Sequence, residues 1–145
     1  MISMELVHLI LSSMLVSLIW LIQILHYPSF KFVDKMSFSE FHKFHTQRIS
    51  YLVIPLMLGE FITGLWLMMS QLDQEIKYDQ WNYVWNFLSI LFIWLATLTL
   101  SIPEHHKLSK TKNDKSIQKL VTTNWVRTIV WSWKLVGLTW SFGNA

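Results

Sequence analysis

Five of the six histidines lie in three short stretches that border apolar runs, and their types and spacing could build a metal or acid–base site. Neutral imidazoles bind iron, copper and zinc, serve as axial ligands of b-type haem, and exchange protons near neutral pH. Histidines three residues apart share one face of a helix, and of two adjacent histidines only one can face inward. The candidate metal ligands are His26, His42, His45, Glu104 and His106, and the sequence leaves open which of His42 and His45, and which of His105 and His106, faces inward.

Other interpretations of these histidines stay open. Histidines at a membrane interface can lie between water and apolar surroundings with no ligand at all. They can also relay protons, and in that role His26 and His45 are the candidate acid–base groups. The metal, if one binds, is expected to be iron or copper, or the iron of b-type haem.

A second polar group falls inside the apolar runs. Glu60 lies eighteen residues beyond His42, about 27 Å along a helix, so one metal cannot bind both. Glu60 and Lys134 are predicted at similar depth, and pairing or protonation of Glu60 is expected because an isolated ion there is costly. Helical spacing places a polar stripe on one face of the last run, at Asn124, Arg127, Thr128, Trp131 and Lys134.

This stripe could bind a small hydrophobic ligand of the phenol or quinone type. Arg127 and Asn124 would orient an oxygen-bearing group, with Trp131, Lys134 and Gln23 completing the pocket. Glu60 would tune the pocket or relay protons. The alternative is an ion pair that only holds the helices together.

The composition of the chain indicates the class of protein in which these residues lie. The chain has 145 residues, of which 52% are hydrophobic and 14% charged, and its mean hydropathy is +0.35. These values indicate an integral membrane protein and exclude a soluble enzyme core, a coiled coil and a disordered regulator. Cysteine is absent, which excludes disulfides, thiolate nucleophiles and iron–sulfur clusters. No phosphate loop, nucleophile elbow or dinucleotide fingerprint occurs.

The apolar runs predict one domain, residues 1–145, with membrane spans at about 6–25, 49–69, 84–102 and 120–142. Pro28 and Pro103 are expected to close the first and third spans. The fourth span is the least apolar and needs partner helices. A capping box at Ser37–Glu40 predicts that the second helix begins well before its span, as a cytoplasmic stem.

Basic residues predict the orientation. The two segments after spans one and three contain nearly all of them, namely Lys31, Lys35, Lys43, Arg48, Lys107, Lys110, Lys112, Lys115 and Lys119, whereas the opposite side has Lys77. The positive-inside rule then places both termini outside and the basic loops in the cytoplasm of a bacterial cell, with the chain in the inner membrane. The lysines flank spans rather than forming a basic groove, so no nucleic-acid partner is expected.

Five motifs support a resemblance: Gln23-x-x-His26-Tyr27-Pro28, Phe41-His42-x-x-His45, Pro55 with Glu60, Pro103-x-x-His106, and Asn124-Trp125-x-Arg127-Thr128-x-x-Trp131. The pattern resembles that of small bacterial inner-membrane proteins with four helices, over nearly the whole chain. More distantly, the layout and the Asn-x-x-Arg-Thr element resemble the anthrone-oxygenase-like membrane family, which implies oxidation of polycyclic phenols. Membrane-bound protoporphyrinogen oxidases match in size and haem-linked theme but not in motif.

The sequence therefore predicts an all-α fold, an antiparallel four-helix transmembrane bundle that is compatible with a homo-oligomer. The predicted function is redox-linked binding of a metal, haem or phenol/quinone-like ligand in a cytoplasmic-side pocket. The competing prediction is a non-enzymatic accessory or assembly subunit of a membrane complex, in which the same polar residues only join helices.

Overall fold

The computed structural model describes residues 3–72 and 78–143, with side chains described over 3–70 and 82–141, and all regular structure there is helical. Helix α1 is Met4–Leu21, continued by Ile22–His26, Tyr27–Ser29 and Phe30–Phe32; α2 is Phe38–Leu72; α3 is Tyr78–Ala96, continued by Thr97–Ser101 and Ile102–Leu108; and α4 is Asp114–Gly143. The predicted all-α class is confirmed.

Three helical stretches are long and apolar enough to cross a membrane: Met4–Phe32, Phe38–Ser70 and Asn82–Leu108. Among the described residues, α4 does not meet the same standard, because its stripe of Asn124, Arg127 and Lys134 lowers its hydropathy. The first three predicted spans therefore have matching helices. Membrane crossing by α4 stays a prediction.

The expectation that Pro28 and Pro103 end their helices is wrong, since both helices continue past the proline. In each case a π-helical stretch comes first, Ile22–His26 before Pro28 and Thr97–Ser101 before Pro103. Proline lacks an N–H and its ring clashes with the carbonyl four residues earlier, and that carbonyl here belongs to the wider π turn. The extra residue in the turn offers a physical reason why the helix tolerates proline.

The predicted early start of α2 is confirmed. The helix begins at Phe38, directly after Ser37, and the Phe41 amide donates to the Ser37 carbonyl at 3.0 Å. It then runs without interruption through Pro55 to Leu72. Because α2 is one continuous helix, the number of residues between two positions gives their separation along the helix axis. His42 and Glu60 therefore lie in different parts of the bundle.

The helices pack in a ring in which α1 contacts α2 and α4, and α3 contacts the same two helices. One apolar cluster includes Phe30, Phe38, Leu108 and Ile117, so the segments 33–37 and 109–113 lie at the same end of the bundle. We call this the basic end, after its lysines, and the opposite one the far end. A second cluster, including Leu15, Met57, Ile93 and Trp131, fills the middle. Lys77, on which the orientation argument also depends, lies outside the described residues.

Candidate functional site

A cavity of about 580 Å³ lies between the helices and reaches the basic end. Its walls are mostly apolar, with contributions from all four helices. Polar groups are few, as is typical of pockets that bind small organic ligands. The lining residues that could contact a ligand by hydrogen bonds or ring stacking are Tyr27, Thr97, Ser101, His105, His106, Arg127, Trp94 and Trp131.

Arg127 provides the buried cation of this cavity. Its side chain is only 6% exposed, and it donates from Nη1 to Thr97 Oγ1 at 3.3 Å and from Nη2 to Asn124 Oδ1. Its Nε is buried and has no hydrogen-bond partner, and no described carboxylate lies within ion-pair distance of the guanidinium. A buried cation without a counter-ion is costly, so an anion in the cavity would be stabilised here.

Two amides fix the direction of the guanidinium. Asn124 accepts from Arg127 and donates from Nδ2 to Gln23 Oε1 at 2.8 Å, and Gln23 donates in turn to the Val121 carbonyl at 3.1 Å. Both amides are fully committed to protein partners, and neither lines the cavity. Gln23 and Asn124, predicted to contact a ligand, are therefore placed as positioning residues behind Arg127.

A chain of three side chains runs from the cavity wall into the basic end. The Tyr27 hydroxyl lies 3.0 Å from His105 Nε2, and His105 Nδ1 lies 3.0 Å from His42 Nε2. Tyr27 and His105 line the cavity, whereas His42 is fully buried with an unpartnered Nδ1. Neutral imidazole donates at one nitrogen and accepts at the other, so the chain has two proton arrangements. In one of them the Tyr27 O–H is free to donate into the cavity.

The sequence names His106 as a candidate ligand but leaves open which of His105 and His106 faces inward, and the structure places His105 inward. His105 contacts Tyr27 and His42, while His106 is exposed at the cavity wall. The reason is the π-helical stretch Thr97–Ser101, which adds a residue to the turn and rotates the segment that follows. A uniform 3.6-residue repeat cannot predict that phase.

The other predicted ligands are arranged around different partners. His26 Nε2 lies 2.7 Å from His45 Nδ1, which makes a separate hydrogen-bonded pair beside the first chain. Glu104 does not join the imidazoles, because its carboxylate accepts from Lys107 at 2.8 Å and from Lys119 at 2.9 Å. Its ion pair with Lys119 links the continuation of α3 to the first part of α4.

The predicted cluster of metal ligands is not assembled among the described side chains, while haem binding through one axial histidine stays a prediction. Among the side chains of residues 3–70 and 82–141, no group of three or more histidine or acidic side chains is arranged to hold a metal ion. His26 is paired with His45, and His42 with His105, each through one nitrogen of either ring. The histidines therefore form a hydrogen-bond network in this structure.

The predicted pairing of Glu60 with Lys134 is confirmed. Lys134 Nζ lies 2.6 Å from Glu60 Oε1, and both side chains are buried. Ser12 donates to the same carboxylate oxygen at 3.0 Å, Trp131 donates to Oε2 at 3.1 Å, and Lys134 also donates to Ser12 at 2.8 Å. Every charged atom is thus partnered, which buried ion pairs need if they are to be tolerated.

The sequence analysis gave no role to several groups that the structure brings to the cavity. Tyr27 stands in the quoted motif next to His26, and its place one turn beyond Gln23 was the available signal. Thr97 accepts from Arg127, and Trp94 lines the cavity with a buried, unpartnered Nε1. These two lie in the predicted third span, 84–102, which contains no charged residue that could mark an inward face.

Comparison of the chain with models of protein families, with curated proteins and with solved structures finds no match. The candidate function therefore depends on the geometry of the cavity and its polar groups.

Proposed function

We propose that this protein binds a small aromatic anion that also bears a hydroxyl group, in the cavity at the basic end. The ligand class is that of a phenol or quinol ring with an acidic substituent. One observation carries the proposal: the buried guanidinium of Arg127 lines the cavity without a carboxylate partner among the described residues.

The anionic group belongs at Arg127. Its free Nε–H and the free indole N–H of Trp94 are two buried donors without acceptors, and both residues line the cavity. Unpartnered buried donors are costly and rare in folded proteins. A ligand oxygen that accepts from either of them removes that cost. The amides of Gln23 and Asn124 hold the guanidinium ready, which reduces the ordering cost of binding.

The hydroxyl group belongs at Tyr27. A ligand O–H next to the Tyr27–His105–His42 chain could exchange its proton with the phenol, while the proton shift continues along the two imidazoles. Aromatic rings of Trp94 and Trp131 would pack against the ring of the ligand. This chain supplies acid–base chemistry at the ligand hydroxyl, and we assign it no redox step.

We place the protein in the bacterial inner membrane as an antiparallel bundle with the basic end in the cytoplasm and both termini outside. Three apolar helices and the lysine distribution support this placement. The cavity would then open toward the cytoplasm. The alternative of an accessory subunit of a membrane complex stays a prediction.

The test uses hydroxynaphthalenesulfonate, a permanently charged naphthol, with uncharged naphthol as the comparison. The purified protein in mild detergent is titrated with each compound while tryptophan fluorescence and thermal unfolding are recorded. We expect the sulfonate to quench Trp94 and Trp131 and to raise the unfolding temperature. Uncharged naphthol should bind at least about tenfold more weakly, because a hydrogen bond to a charged group contributes about 1.5–3 kcal/mol.

Arg127→Ala should reduce sulfonate binding to the level of naphthol. Arg48→Ala is the matched control, because Arg48 is an exposed arginine at the same end that packs over the Phe44 ring and does not line the cavity. Equal binding of the two compounds by the wild-type protein, or sulfonate binding that survives Arg127→Ala, would refute the proposal.

A further inference from the structure

A second cavity, of about 320 Å³, lies at the far end of the bundle between α3 and α4. Its polar lining comes from Asn82, Asn86 and Ser89 on α3, and from Lys134 and Ser141 on α4. Gly137 also lines it, and a methyl group added at that position would meet no atom within 4 Å. Gly137 is itself exposed, so this cavity is open on the side where the glycine lies.

The two cavities lie on opposite sides of the Glu60–Lys134 ion pair, one toward each end of the bundle. Trp131 lines the cavity at the basic end and donates to Glu60 Oε2 at 3.1 Å. Lys134 lines the cavity at the far end and lies 2.6 Å from Glu60 Oε1. The Glu60 carboxylate therefore lies between the two cavities, with one side chain separating it from each.

Each cavity also has one buried cation. Arg127 belongs to the first and Lys134 to the second, on the same stripe of α4 and about 10 Å apart along the helix. The two cations differ in whether a carboxylate is paired with them. Arg127 has no carboxylate among the described residues, whereas Lys134 is occupied by Glu60. An anion held at Arg127 could pair with Lys134 only if the Glu60 carboxylate no longer paired with Lys134.

We propose that the protein moves the aromatic anion between the two cavities together with a proton, and that Glu60 is the group that takes up this proton. This proposal rests on the function proposed above. In the resting state Glu60 is ionised and occupies Lys134. Transfer of one proton to its carboxylate makes Glu60 neutral and frees Lys134 to pair with the incoming anion. When the anion leaves, Glu60 loses the proton and pairs with Lys134 again, so one proton accompanies each anion.

The groups that face Glu60 are consistent with this cycle. Lys134 approaches from α4, and Ser12 of α1 donates to the carboxylate. His8 of α1 is the other titratable group nearby, held at 2.7 Å by Thr63 of α2 and at 2.9 Å by Asn86 of α3. Asn86 also lines the far cavity, so His8 lies one residue from that space. Apart from Lys134, His8 is therefore the titratable group beside the far cavity that could receive a proton entering from that end.

The test reconstitutes the protein in sealed lipid vesicles that contain a dextran-linked pH dye, and follows uptake of hydroxynaphthalenesulfonate. A sulfonate stays ionised, so it cannot bring a proton across by itself. We expect the wild-type protein to take up the probe and to acidify the vesicle interior as it does so. Glu60→Gln mimics the protonated acid and, with potassium and valinomycin present in all samples to compensate the charge, should take up the probe without acidification.

Gly137→Trp provides a second variant that keeps both members of the ion pair. The indole should fill the far cavity and reduce uptake to that of protein-free vesicles, while binding of the probe to detergent-solubilised protein is retained. Val136→Trp adds the same bulk to an exposed neighbouring position outside both cavities and should leave uptake unchanged.

The outcomes separate this proposal from the binding function. Wild-type protein that binds the probe but shows no uptake refutes transport and leaves the binding function standing. Uptake by the wild-type protein without acidification refutes the role of Glu60, as does acidification that persists in Glu60→Gln. Uptake that survives Gly137→Trp refutes the far cavity as part of the path. Absence of binding refutes both proposals.

Discussion

Arg127 and Lys134 are two buried cations on one helix face, and they show how much residue-level reasoning can predict. Matching depths along the chain predicted the contact of Glu60 with Lys134, because an ion in apolar surroundings needs a partner at its own height. The same reasoning identified Arg127 as inward-facing. It could not predict that Arg127 has no described carboxylate partner, since that depends on how the neighbouring helices are rotated.

Removing one member of the Glu60–Lys134 pair should destabilise the bundle strongly. Glu60→Leu leaves the Lys134 ammonium buried with only Ser12 as an acceptor, and breaking a buried pair costs about 3–5 kcal/mol. We expect a large fall in the thermal unfolding temperature in detergent. The double variant Glu60→Leu/Lys134→Met should recover most of the loss, because no uncompensated charge remains. A double variant no more stable than Glu60→Leu would contradict this account.

The histidines mark the limit of residue-level prediction. Their gathering at one end was predicted from the helix ends, and the structure brings His26, His42, His45 and His105 together there. Which of two neighbours faces inward depends on helix phase, and the identity of His105 followed only from the π turn before it. Whether imidazoles bind a metal or one another depends on distances that residue types alone do not specify.

At the scale of elements, helix type and extent were mostly predictable, and helix ends at proline were not. The start of α2 was predicted from the local pattern around Ser37, and the helix does begin at Phe38. The two prolines were misjudged because each stands in the first turn of the α-helical segment that follows the π stretch, where proline is tolerated. Both π stretches include residues that line the main cavity, at Ile22 and at Thr97.

Two glycines provide a matched test of how closely the helices approach. A methyl group at Gly64 of α2 would lie 2.7 Å from Ile90 Cδ1 and 3.2 Å from His8 Cε1, and His8 cannot move freely because Thr63 and Asn86 hold it. Gly64→Ala should therefore destabilise the protein by about 1–3 kcal/mol. Gly137→Ala meets nothing within 4 Å and should stabilise α4 by about 0.5–1 kcal/mol.

Thermal unfolding of both glycine variants in the same detergent checks this prediction. If Gly64→Ala and Gly137→Ala shifted the unfolding temperature equally, the close contact of α2 with α1 and α3 would not be as described.

For the whole molecule, the lysine distribution predicts orientation in the membrane. A periplasmic reporter enzyme fused after Ala145 should be active, and a fluorescent protein that matures only in the cytoplasm should be dark at the same position. The same two reporters inserted between Ser109 and Asp114 should show the reverse pattern, because that segment joins α3 to α4 at the basic end. Cytoplasmic fluorescence from the fusion after Ala145 would overturn the orientation.

The stripe of α4 also bears on how the protein is made. Exposing its polar side chains to lipid would cost free energy if α4 entered the bilayer alone. In the bundle, Asn124 is hydrogen-bonded to Gln23, Arg127 to Thr97, and Lys134 is paired with Glu60, so each has a partner on another helix or its continuation. The ribosome finishes α1, α2 and α3 before α4 emerges. Insertion of the last helix is therefore expected to wait for an assembled three-helix template, and shortened chains that lack α4 should enter the bilayer more readily than α4 alone.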